Sequence, residues 1–399
     1  MSRVLKKIFS LIILLSLFLP ASVAEAQATN ALGPVYIVQE GDSLWDIAYR
    51  FHVSQTSLEN ANGIINPDQI AVGEPLVIPG LEGIQGELTT VNVPYGETLN
   101  SLSLRYNLTV EMLERLNHLT SPNELYAGYS LVIQKNNNPH PPEKRAVVEA
   151  GQSLLEMAIV NDTDPWTILV DNKLGNSSLV VPGDVILVPG EDDNQPGGLP
   201  PEISSVNISG LSQGETAEFQ VSGAGGLSIS GSLMDHPLNF FAEPEGGYVA
   251  LQGVHAMVDP GLYPLALTVN LSSGHVFDYS QYVYVSSGDF LYDVPLSVDP
   301  ETLDPETTVP EDKQWISLAS QVSPEKMWQG DFTLPVEPVF AECYSSRFGS
   351  RRSYNGSEYI YFHTGLDYCG QVGDPIYATA AGVVVFTGLL TVRGNATMI

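Results

Sequence analysis

The stretch Gly41-Asp42-Ser43-Leu44-Trp45-Asp46-Ile47-Ala48 sets the architecture of this 399-residue chain, because its pattern comes back twice. Gly96-Glu97-Thr98-Leu99 and Gly151-Gln152-Ser153-Leu154 restate its opening, each 55 positions further on. The register holds to the end of each unit. Asn62, Asn117 and Asn172 recur at that interval, as do Gly73, Gly128 and Gly183, and the closing runs Leu76-Val77-Ile78, Leu131-Val132-Ile133 and Ile186-Leu187-Val188. Self-similarity at a fixed period is the signature of one supersecondary unit used several times.

Within the first unit, Tyr36-Ile37-Val38 is a short β-prone run, Gly41 makes a turn, and Asp42 or Ser43 caps a helix. That helix buries Leu44, Ile47, Ala48 and Phe51, which fall on one helical face. A second short helix around residues 57 to 61 presents Leu58 and Ala61, Asn62-Gly63 stops it, and Leu76-Val77-Ile78 before Pro79 is a closing strand. The pattern is βααβ. Helices this short are marginal alone, so each unit of about 45 residues depends on packing both helices against its strands. The third unit departs from the others, with Asn161 where Phe51 and Tyr106 stand and Asp171 in a slot that is apolar elsewhere.

Carried by residues 41 to 48, by Asn60-Ala61-Asn62 and by Gly73-Glu74-Pro75-Leu76-Val77-Ile78-Pro79, the unit resembles LysM domains, the first copy best. The resemblance implies binding of N-acetylglucosamine-containing glycans, peptidoglycan or chitin, in a shallow groove between two loops. It places Gly41, Asp42 and Ser43 on one side and Asn62, Gly63, Ile64 and Ile65 on the other, with Gly96, Glu97, Thr98 and Asn117 as cognates in the second unit. Gly41 and Ser43 also have a plain structural use as a turn and a cap, and Asn62 as a helix stop. Weak sites tethered in series would rebind a repeating polymer by avidity.

Arg3, Lys6 and Lys7 precede an apolar run from Ile8 to Leu19, then Pro20 and the small-residue site Ala24-Glu25-Ala26, so residues 1–26 are expected to be a cleaved signal peptide. The run is shorter than the roughly 20 residues of a spanning helix, so no stable membrane span is expected after cleavage, and the protein is expected to be secreted or held in the cell envelope. The chain carries 16 Lys+Arg against 46 Asp+Glu, a net −30, and loss of the leader makes it two units more negative. That field disfavours nucleic acid and anionic polymers but raises no objection to an uncharged glycan.

From about residue 200 short alternating runs replace helical periodicity: residues 217 to 221, 263 to 269 and 282 to 285. They predict an immunoglobulin-like β domain over 200–297. His236, His255 and His275 are assigned no metal. Residues 298–327, opening Asp299-Pro300-Glu301 and rich in Pro and acid, predict an extended acidic linker. Cys343 and Cys369, the two cysteines of an exported chain, have one possible pairing as a disulfide.

The segment that carries chemistry runs through Phe348-Gly349-Ser350-Arg351-Arg352, His363-Thr364-Gly365-Leu366-Asp367, Gly373-Asp374-Pro375-Ile376-Tyr377-Ala378 and Ala381-Gly382-Val383-Val384. His363 and Asp367 are four apart and share a face in extended backbone. Alone, such a pair is a weak signal. In that order and spacing the four motifs resemble the opening of lysostaphin-like (LytM-type) zinc metallopeptidases, which cleave peptide bonds in peptidoglycan. The resemblance maps His363 and Asp367 onto two zinc ligands; a third ligand and a catalytic histidine would come from a later HxH motif. His363 is the last histidine here. A catalytic zinc uses three protein ligands and a water, so weak zinc binding, no complete catalytic set and a truncated peptidase domain are expected.

The expected fold class is thus multidomain, α+β and all-β: βααβ LysM modules at 36–80, 90–135 and, divergent, 145–190; a β-sandwich-like domain at 200–297; the linker; and the N-terminal part of a β-rich peptidase domain at 328–399. Two functions compete. One is an exported peptidoglycan-binding zinc endopeptidase, inactive as this chain; the other is a non-catalytic wall-binding protein or an activator of other hydrolases.

Overall fold

The structure is a computed structural model that describes residues 33–81, 83–135, 143–191, 194–244, 246–271, 274–321, 323 and 327–399. The expected signal peptide lies outside the described residues. The chain has short helices and many strands, and it divides into two compact units. The first takes the described residues up to Val93 together with Glu97–Leu125 and Tyr129–Gly198; the second takes Pro94–Gly96, Tyr126–Gly128 and Leu199–Ile399.

In the first unit, β1 (Val35–Ile37), α1 (Leu44–Arg50), α2 (Gln55–Asn62) and β2 (Pro75–Val77) form the first repeat. Of the two candidate caps, Ser43 does the capping, its hydroxyl accepting from the Asp46 amide at 3.1 Å. Leu44, Ile47, Ala48, Phe51 and Leu58 are all buried, while Ala61, expected inward, is exposed. Helix α2 stops where Gly63 turns left-handed at φ 65°, a conformation that costs glycine nothing. The second repeat follows with β3 (Glu87–Asn92), α3 (Leu99–Arg105), α4 (Val110–Asn117) and β4 (Ser130–Gln134). A reciprocal box between Thr98 and Ser101 caps α3.

These two repeats are not separate beads. Strand β1 pairs antiparallel with β2 on one side and parallel with β3 on the other, giving one four-stranded sheet in the order β2-β1-β3-β4. Leu88, Leu116 and Val132 of the second repeat join the apolar core of the first. A three-residue strand has little to offer alone; sharing a sheet satisfies both of its edges.

The third repeat, β5 (Glu143–Val147), α5 (Leu154–Val160), α6 (Pro165–Asp171) and β6 (Val185–Pro189), keeps its own two-stranded sheet and a core of Val148, Met157, Ala158, Ile168, Ile186 and Val188. The Lys173 ammonium fastens it to the second repeat, donating to the Ser103 carbonyl and hydroxyl and to the Leu108 carbonyl at 2.8 to 3.0 Å.

The second unit begins with eight strands, β7 (Ile203–Ser209), β8 (Thr216–Gly223), β9 (Ser228–Leu233), β10 (His236–Asn239), β11 (Phe241–Ala242), β12 (Tyr248–Gly253), β13 (Gly261–Asn270) and β14 (Val276–Val285). They form two four-stranded antiparallel sheets, ordered β10-β9-β13-β14 and β11-β12-β8-β7. Alternate residues face inward, as the period of two requires: Ala217, Phe219 and Val221 on β8, Leu265, Leu267 and Val269 on β13.

Two expectations change from here. The last ladder strand ends at Val285, and the chain that follows bonds to the C-terminal region instead: Arg351 N to Leu291 O at 2.8 Å, Asp293 N to Arg351 O at 3.0 Å, Leu296 N to Ser353 O at 2.9 Å. The stretch expected as an extended linker contains a 15-residue helix, α7 (Pro305–Ala319), capped by Asp304 and opened by Pro305 at a position that needs no amide proton. Composition argued against a helix; the Glu311 carboxylate supplies what composition does not record. It accepts from the Val392 and Arg393 amides at 3.0 and 3.1 Å and from the Arg393 guanidinium at 2.9 Å, so the helix is bound to the last hairpin.

That hairpin is β19 (Phe386–Leu390) with β20 (Gly394–Met398); the rest of the region adds two short pairs, β15 (Tyr344–Ser346) with β18 (Asp367–Tyr368) and β16 (Arg351–Arg352) with β17 (Tyr361–Phe362). Cys343 and Cys369 are joined in a disulfide, Cα atoms 5.4 Å apart, beside the β15–β18 pair. Among the described residues no helix is long and apolar enough to cross a membrane.

Candidate glycan surface and metal centre

On the first repeat, Gly41 turns at φ 87° and is exposed with Ser43, so this lip of the expected groove faces solvent. Asp42 does not. Its carboxylate accepts from the Tyr36 hydroxyl at 2.7 Å, the Gln39 amide at 2.8 Å and the Arg50 guanidinium at 3.0 Å. Burial opposes its ionisation, yet these partners together hold it below the usual carboxylate range, and the same burial and the Asp42 bond push Tyr36 up to about 12.

Asn62 is likewise occupied. Its amide donates to the Leu58 and Val77 carbonyls, both at 2.9 Å, and its oxygen accepts from the Val77 amide at 2.7 Å, tying α2 to β2. Asn117 makes the same three bonds with Leu113 and Val132, and Asn172 with Ile168 and Leu187. The recurring asparagine is a clamp. Ile64 packs partly on the core, whereas Ile65 is 98% exposed with no packing role. In the second repeat, Gly96 and Glu97 are buried, Thr98 is half-buried and Asn117 is buried.

In the C-terminal region β17 and β18 bring His363 and Asp367 together, Nε2 to Oδ1 at 3.1 Å. His363 is 7% exposed, and the Asp367 carboxylate is half-exposed. The His363 Nδ1 lies 3.1 Å from the Arg347 carbonyl and 3.0 Å from the Ser346 hydroxyl. A carbonyl only accepts, so Nδ1 carries a proton and donates to it, which turns Nε2 toward the carboxylate. Nε2 and a carboxylate oxygen 3.1 Å apart share either a proton or a cation, and an Nδ1–H held by a backbone carbonyl is the support that metal-binding imidazoles use. The donor types therefore fit a divalent ion. They are two in number: among the described residues no group of three or more His, Cys, Asp or Glu is placed to hold a metal. Cys369 is engaged with Cys343.

Around this pair lie residues that the sequence reading missed. The Arg352 guanidinium reaches the Ser346 hydroxyl and the Asp293 carboxylate at 3.0 and 3.1 Å and approaches Asp367 at 3.5 Å; Ser346 in turn donates to Asp293 at 3.0 Å. Arg352 was visible in its motif. Asp293, assigned to the β domain, carried no local signal.

The LysM domain family model matches residues 36–79 and 92–134. Over 123 residues the chain is 28% identical to a probable N-acetylmuramidase of Lactococcus lactis subsp. cremoris, covering 25% of this chain and 28% of that protein. It is 30% identical over 103 residues to the secreted LysM effector ECP6 of Passalora fulva, covering 25% and 45%, and 31% identical over 121 residues to the N-acetylmuramoyl-L-alanine amidase sle1 of Staphylococcus epidermidis, covering 28% and 36%. The chain thus spans less than half the length of each of these relatives. A crystal structure of a putative peptidase M23 from Pseudomonas aeruginosa aligns at 21% identity over 47% of this chain and 68% of that one, with a TM-score of 0.32, a score from which no shared fold follows. Residues 36–79 and 92–134 of this chain are LysM domains.

Proposed function

We propose that the chain is an exported cell-wall protein that holds N-acetylglucosamine-containing glycan through its LysM repeats and carries part of a lysostaphin-like zinc endopeptidase site for peptide cross-links. The observation that carries the enzymatic half is the convergence of His363 Nε2 and Asp367 Oδ1 at 3.1 Å, with the imidazole fixed from behind by the Arg347 carbonyl. His363 and Asp367 would hold the zinc. Bound there, zinc supplies Lewis acidity and a water whose pKa falls to about 7. Asp293 and Ser346 hold Arg352 beside the Asp367 carboxylate, which fixes the carboxylate's orientation and offers a cation at the rim of the site. The LysM matches and the relatives' names support the wall-glycan half.

A second reading, a non-catalytic wall binder or an activator of other hydrolases, is favoured by the donor count: two ligands hold zinc weakly, and among the described residues no third donor joins them. Two measurements separate the possibilities. The purified chain should sediment with insoluble peptidoglycan, and Ile65→Ala, which disturbs no packing, should weaken that several-fold; a chain that stays in solution refutes glycan binding. Zinc dialysis should show weak retention that His363→Ala abolishes. Muropeptide release by this chain, lost in the same variant, supports the enzyme; zinc retention unaffected by His363→Ala refutes the metal site.

A further inference from the structure

The acid and arginine of α1's opening loop and last turn recur in the second repeat at the 55-residue interval, Asp42 with Arg50 as Glu97 with Arg105. Both pairs form, at 3.0 and 2.9 Å. Their surroundings differ. In the first repeat the loop around the pair is open, with residues 39–41 and Ser43 exposed, and Arg50 turns inward to donate to the Tyr36 hydroxyl at 2.7 Å. In the second repeat the acid of the pair is itself buried, Glu97 to 2%, and the chain's own residues 195–197 lie against the pair.

Backbone groups of that segment bond to charged side chains of the repeats. The Gly197 amide donates to the Glu97 carboxylate at 3.3 Å, the Arg105 guanidinium donates to the Gln195 carbonyl, and the Arg145 guanidinium donates to the Pro196 carbonyl at 3.3 Å. The fit leaves no room for a side chain: a Cβ on Gly197 would fall 2.7 Å from the Ser101 Cβ. In these bonds the segment contributes backbone groups and the repeats contribute the charged ones. A lip that in the first repeat faces solvent is here filled by peptide. The third repeat has no counterpart of the pair, with Gln152 and Val160 at the two positions.

We infer that the loop of the second LysM domain is a docking site for the chain's own residues 195–197 and does not take glycan, so that of the two LysM domains the first is the glycan-binding one. This inference rests on the glycan reading above. A sugar would have to displace the Gly197–Glu97 and Arg105–Gln195 bonds, two charge-assisted contacts, before gaining any of its own.

The test uses the full chain and the N-acetylglucosamine tetramer. Hydrogen exchange of the Gly197 amide, read without any sugar, should be slowed at least tenfold relative to an unstructured glycine; an unprotected amide overturns the docking. Calorimetric titration of the parent chain should give one fewer tetramer site than Gly197→Leu, whose side chain must lift the segment off Ser101. Equal site numbers, with the variant's thermal unfolding showing an intact fold, overturn the inference. Absence of tetramer binding in both proteins refutes the glycan reading itself, and the exchange rate then still decides whether the segment docks.

Discussion

Asn117 illustrates how a residue chosen for its place in a repeat is used once the chain folds. Its side chain is buried and spends both amide protons and its oxygen on the backbone of α4 and β4. Asn117→Ala removes three bonds and leaves buried backbone groups unpaired, a loss of about 2 to 4 kcal/mol measurable by urea unfolding. Asn62→Ala should cost less, because Asn62 is only half-buried. His52 gives a pH signature. Partial desolvation of this otherwise exposed ring and the neighbouring His118, ring centroids 5.1 Å apart, push its pKa below the ordinary 6.5. The native chain resists a proton that the unfolded chain accepts, so the stability this confers is full above about 6.5 and falls as the pH drops through that value toward the folded pKa. His52→Asn, suited to the left-handed φ of 53° at that position, should flatten the fall in melting temperature between pH 6.5 and 5.

At the scale of elements, helix α7 and the β19–β20 hairpin stand or fall together. The hairpin's neighbours in sequence, Ile376, Val383 and Val384, are exposed, so apolar burial contributes little there, and the Glu311 carboxylate supplies a large part of the attachment. The Arg393 guanidinium adds a stacking contact 5.0 Å over the Trp315 ring and a 2.8 Å pair with Asp312. Glu311→Ala should cost about 2 to 3 kcal/mol locally and expose residues 386–398 to limited proteolysis, with the three repeats unaffected. If cleavage there were no faster than in the parent chain, the helix would not be what holds the hairpin. The acidic composition of residues 298–327 hid this helix, because a single buried carboxylate outweighs the extended bias of its neighbours.

For the molecule as a whole, two compact units imply two responses to stress. The only disulfide closes a loop of 26 residues in the second unit and none in the first. Reduction should destabilise the C-terminal region by about 3 kcal/mol on the chain-entropy account while the repeats' transition stays in place. Calorimetry with and without reductant would show one moved transition and one fixed; a common shift would mean that the units unfold as one.

What the sequence determined by itself was local. The 55-residue period, the inward face of α1, the alternation along β8 and β13 and a cap for α1 at Asp42 or Ser43 all depend on residues within a few positions of one another, and a turn or a pleat imposes those patterns wherever it forms. The pairing of His363 with Asp367 was legible for the same reason, the two lying four apart. Only the tertiary structure decided that β1 and β3 join two repeats in one sheet, that Asp293 reaches Arg352 across 59 positions, and that Gly197 closes over Glu97 across 100. Those contacts join backbone groups and ordinary charges that look the same in any loop, so their partners are set by where the chain returns and not by what the residues are.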